Sequence, residues 1–116
     1  MKKSTLVIGL VLASILALAS AVSAKDLAQA DLAKQAKITK AQAEQIALAK
    51  VSHGIVQSAE IENEKGHLVW SFDITRPNTK NITEILVDAQ TGKIISKQNE
   101  TPLDQAKEAA ADRQQR

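Results

Sequence analysis

From His67 to Thr75 the chain reads His-Leu-Val-Trp-Ser-Phe-Asp-Ile-Thr, with a large apolar side chain at every second position. Side chains of an extended strand point alternately to opposite sides, so Leu68, Trp70, Phe72 and Ile74 share one face. His67, Ser71, Asp73 and Thr75 take the other, interrupted only by Val69. The pattern predicts a half-buried antiparallel strand facing a single core. It holds the only Trp and the only Phe of the chain, so the core is to be built around it.

The neighbouring stretches supply partners. Ile55 to Glu62 reads as a first strand, with Ile55, Ala59 and Ile61 on one face. Asn63-Glu64-Lys65-Gly66 then has turn chemistry and joins the two strands as a hairpin. Arg76 to Asn81 is a polar loop, because Pro77 has no N–H for a sheet ladder. Ile82 to Asp88 and Lys93 to Lys97 read as the third and fourth strands, joined by the tight turn Asp88-Ala89-Gln90-Thr91-Gly92.

Ahead of the strands, Thr39-Lys40-Ala41-Gln42 has the form of a capping box and opens a helix. Ala43, Ile46, Ala47 and Val51 recur at helical spacing, and the small alanines permit close approach to a sheet. Gly54 is expected as its left-handed C-terminal cap. After the strands, Thr101-Pro102-Leu103-Asp104 starts a second helix that runs to about Arg113. The expected class is α+β: one N-terminal helix on a four-stranded antiparallel sheet, with a short C-terminal helix after it.

Residues 1–24 read differently. Lys2 and Lys3 precede an uncharged, apolar run from Leu6 to Ala19, too short for the roughly 20 residues that span a bilayer core. Small residues at Val22-Ser23-Ala24 complete the layout of a cleaved signal peptide, with Ala19-Ser20-Ala21 as a second cleavage option. The alternative is an uncleaved N-terminal anchor. No Cys follows the run, which excludes a lipoprotein anchor. The expected location is the periplasm or the extracellular space, with no stable membrane insertion once the leader is removed. Residues 25–37 favour helix by propensity but have little to bury and read as a mobile spacer or frayed helix, 38–97 as the domain, and 98–116 as a helical tail.

The formal charge of +2 includes Lys2 and Lys3, so the chain beyond the leader is formally neutral. That leaves no basic excess for a nucleic-acid surface. Without cysteine, an exported domain of about 60 residues depends on its core alone and is marginal in size.

Ile38-Thr39, Gln42-Ala43, Ile46-Ala47, Gly54, the strand around Trp70 and Phe72, and Leu86-Val87-Asp88-Ala89-Gln90-Thr91-Gly92-Lys93-Ile94-Ile95 together resemble the PepSY domain. The closing Val-Asp-Ala-x-Thr-Gly-Lys-Ile is the most specific part. The family occurs in propeptides of secreted metallopeptidases, in spore-germination proteins and in small exported proteins. The resemblance implies one helix on an antiparallel sheet, and a module that binds and restrains peptidases without catalysing a reaction.

The residues themselves indicate no chemistry. His53 and His67 are widely separated in sequence, and with no Cys there is no ligand spacing for zinc. Glu60, Glu62, Glu64 and Asp73 make an acidic hairpin, but no Asp-x-Asn-x-Asp loop for calcium is present. Ser52 and His53 are adjacent and do not face one another on a helix. No catalytic, cofactor or metal site is expected. Val69, Leu86 and Ile95 are instead the candidates for partner contact, as apolar residues on the sheet face away from the helix. A bulge after the Asp88–Gly92 turn would shift Ile95, and the Leu103 side of the tail is available as a cover. The preferred reading is an exported interaction module for a peptidase or another envelope protein. The alternative is a small-molecule or metal-ion binding protein using the acidic hairpin and the histidines; a hydrolytic enzyme ranks third.

Overall fold

A computed structural model describes residues 22–114; the leader expected over 1–24 lies, up to residue 21, outside the described residues. The elements in chain order are α1 (Ala24–Ala33), α2 (Lys40–Leu48), β1 (Ile55–Glu64), β2 (His67–Thr75), β3 (Ile82–Asp88), β4 (Ile94–Glu100) and α3 (Pro102–Gln114). The strands form one antiparallel meander in the order β1-β2-β3-β4. The fold is α+β, as the alternation and turn chemistry predict.

The core lies between α2 and one face of the sheet. Phe72 and Ile74 are fully buried there with Ile61, Ile85 and Val87. Ala43 and Ala47 of α2 are also fully buried, so at these two positions only a methyl group separates the helix backbone from the strands, with Ile46 and Leu48 packing alongside. The capping box forms in full: Thr39 Oγ1 accepts from Gln42 N at 3.1 Å, and Gln42 Oε1 accepts from Thr39 N at 2.9 Å. Trp70 ties the two layers together, since its Nε1 donates to the Ile38 carbonyl at 2.9 Å.

The turns set the register. Lys65 and Gly66 both have positive φ (50° and 83°), the geometry of a two-residue hairpin whose twist matches the strands. At the β3–β4 turn, Asp88 Oδ1 accepts from Gln90 N at 2.7 Å and Thr91 N at 3.0 Å. Ala89 is fully buried, and its carbonyl accepts from both Lys37 N and Ile38 N. The signature turn thereby anchors the segment that leads into α2.

Three local expectations are corrected. The left-handed residue after α2 is His53 (φ 57°), not Gly54. Gly54 is needed for closeness: a Cβ there would sit 2.8 Å from Ile74 Cγ2 and 3.1 Å from Val51 Cβ. A bulge between Val56 and Ser58 turns Ile55 out to solvent and sends Val56 to the core instead. Residues 25–37, expected as a spacer or frayed helix, hold most of α1, which lies against β1 and contributes Leu32 and Ala33 to the edge of the core. Finally, Leu103 is exposed, so its side of α3 does not cover the outer sheet face.

Candidate functional site

The face of the sheet away from α2 carries the alternate residues of each strand. Cross-strand rows there are Glu62–Val69–Asp88, Glu60–Ser71–Leu86–Ser96 and Ser58–Asp73–Glu84–Gln98. They enclose a groove of about 540 Å³ with Leu86 and Ile95 on its apolar side and Glu62, Glu64 and Glu84 on its acidic side.

The anticipated bulge exists. Val87 pairs with Ile94 and Leu86 with Ser96, which leaves Ile95 as the extra residue. Ile94 takes the core side, and Ile95 still lines the groove, 42% exposed. Of the other two candidates, Leu86 is 8% exposed and lines the same groove, while Val69 has no exposed surface. Val69 lies between the longer side chains of Glu62 and Asp88, its cross-strand neighbours, and is therefore support for the groove floor rather than contact surface.

Carboxylates predominate on the face, although Lys65 and His67 also line the groove. Burial, reinforced by Glu100, Asp73, Glu62 and Glu108, raises the Glu84 carboxyl to about 7. Burial also raises Glu62, with Glu64, Glu60 and Asp73 adding to it, and raises Glu100. No cation pairs with Glu84 among the described residues. Asp88 behaves in the opposite way: the Gln90 amide first, then Thr91 and His67, hold it below the usual carboxylate range. Its Oδ2 lies 3.4 Å from His67 Nδ1. These contacts fasten the turn.

The remaining candidates do not converge. His67 opens β2, and His53 precedes β1 at the end where Ile55 pairs with Thr75. The nine residues of β2 separate them by roughly 25 Å at the usual strand rise. Among the described residues no three His, Asp or Glu side chains gather as metal ligands would. Glu60 is paired with Lys25 Nζ at 3.0 Å, and Asp73 accepts from Ser58 Oγ at 3.2 Å.

Sequence reasoning missed Gln29. Its Nε2 donates to Ile61 O and its Oε1 accepts from Ile61 N, each at 2.8 Å. A single Gln in an Ala-rich stretch carries no local signal of this, because its partner lies 32 residues away.

A helix lies on one face of a four-stranded meander, and an acidic, apolar-floored groove is left open on the other. The family model described as "Peptidase propeptide and YPEB domain" (PepSY) matches residues 37–98, more than half of the chain, and the protein belongs to that family. Its domains are propeptide- and inhibitor-like modules, generally non-catalytic and typically found in exported proteins. No curated protein and no solved structure matches the chain. Among the described residues no helix is long and apolar enough to cross a membrane.

Proposed function

We propose that the protein is an exported, non-catalytic module that binds and modulates a peptidase or another envelope protein, and that the outer sheet groove is its contact surface. The observation that carries this reading is the groove itself. Leu86 and Ile95 offer apolar contact beside carboxylates that lack cationic partners within the described chain. A partner that sets an aliphatic side chain on Ile95 and a Lys or Arg beside Glu84 would cover the first and neutralise the second. Membership of a propeptide-like family supports a peptidase as that partner.

The test uses the purified chain added to an envelope fraction of the source cell, with casein hydrolysis as the readout. Inhibition is expected, and it should weaken at least tenfold in Ile95→Lys and Glu84→Lys, as substitutions at a contact centre do. Both positions keep exposed surface, so the variants are expected to fold. Unchanged hydrolysis, together with no envelope protein retained by the immobilised chain, would remove the reading.

A further inference from the structure

β1 is an edge strand, and an edge leaves a row of backbone donors and acceptors without a strand partner. In this chain the two Gln29–Ile61 bonds reproduce the closed pair that a residue of a neighbouring antiparallel strand would make. They also fix which residues face outward. Backbone polar groups of a strand repeat every second residue, and the register from Ser58 to Glu64 is unbroken, so Ala59 and Asn63 present theirs along the same edge as Ile61. Among the described residues neither is paired there. Beside this ladder Lys25 Nζ meets Glu60 at 3.0 Å. Helix α1 therefore places an amide on the edge backbone and a cation on the adjacent carboxylate, the two things an incoming basic strand would bring.

The helix is lightly held. None of its residues is fully buried, Leu27 is exposed, and its apolar contacts with the core come from Leu32 and Ala33 in its last turn. Its first two turns meet β1 through the polar side chains of Gln29 and Lys25.

We infer that the free edge of β1, at Ala59, Ile61 and Asn63, is a strand-addition site for an extended basic segment of a partner protein, with α1 as its displaceable resident. This rests on the reading of the protein as a protein-binding module and adds a second surface to it. A second copy of β1 is the wrong occupant. Glu60, Glu62 and Glu64 project to one side of the strand, and pairing two such strands would set carboxylates against carboxylates. A segment with Lys at alternate positions meets those three carboxylates and continues toward the groove, which Glu62 and Glu64 also line.

The experiment titrates the ¹⁵N-labelled full chain with a short end-blocked peptide of alternating Val and Lys, and with the same peptide N-methylated along one edge. The largest amide shifts are expected at Ala59, Ile61 and Asn63, and the N-methylated peptide should not produce them. Gln29→Ala should bind the first peptide about tenfold more tightly, since the peptide no longer competes with two hydrogen bonds. Ala59→Pro removes an outward N–H while sparing the ladder to β2, so it should fold and bind at least tenfold more weakly. Equal binding of the N-methylated peptide, an affinity unchanged by either substitution, or no shift at all would overturn the inference. Shifts confined to Leu86 and Ile95 would also overturn it, while leaving the groove as a contact surface.

Discussion

At Trp70 a single side chain fills the core and satisfies a backbone acceptor. The ring packs among buried residues, and its Nε1 closes on the Ile38 carbonyl just ahead of α2. Trp70→Phe keeps most of the apolar contact but strands that carbonyl, at a cost of about 1–3 kcal/mol. Trp70→Ala adds a cavity and should cost about 3–5 kcal/mol, a large share of the stability of a domain this small. Urea titration is expected to place both midpoints below wild type, with Ala far below Phe; a Trp70→Ala protein that melts like wild type would contradict the packing. The ring's place was legible in the sequence because alternation is a local pattern. The choice between His53 and Gly54 was not. Glycine is the default left-handed residue, yet here its missing Cβ is used for the approach to Ile74, a contact 20 residues along the chain.

Helices α1 and α2 differ in how their sequences announce them. α2 begins with a reciprocal cap between residues three apart, so its start could be read directly. Thr39→Ala should lower stability by about 1 kcal/mol in chemical denaturation. Thr39→Ala combined with Gln42→Ala should cost less than the sum of the two, because each residue bonds the other's backbone. Additive losses would show that the box does not act as a unit. α1 has no such local mark: what holds it is a side chain on a distant strand edge and a few contacts by Leu32 and Ala33. The same limit hid the exchange of Ile55 for Val56. Turn residues and alternation fix a strand's existence, whereas a bulge within it is set by the fit to its neighbour. On the outer face, Leu86 and Ile95 were legible as breaks in polarity. The covering of Val69 depended on which residues pair with it across the sheet.

For the whole molecule, the gathering of carboxylates on one face links stability to pH. The folded protein retains the Glu84 proton up to about pH 7, whereas an ordinary glutamate releases it near 4.5. Between those values the folded state binds more protons than the unfolded chain, so stability falls as pH rises through the window. Glu62 and Glu100 are shifted in the same direction and add to the slope. Asp88 is shifted downward; its contribution is intact above its ordinary value of 3.8 and is lost only in more acidic solution. The melting temperature should therefore be higher at pH 5 than at pH 8. Glu84→Gln, which cannot ionise, should raise the pH 8 value and flatten most of the difference, whereas a slope unchanged by that substitution would place its origin elsewhere. A partner cation beside Glu84 would act as the proton does, favouring the folded chain by neutralising the same face, and binding should then draw the Glu84 titration down toward the ordinary range. Mild alkalinity would weaken the free fold while strengthening its hold on a basic partner, because the ionised carboxylate is the form that such a partner meets.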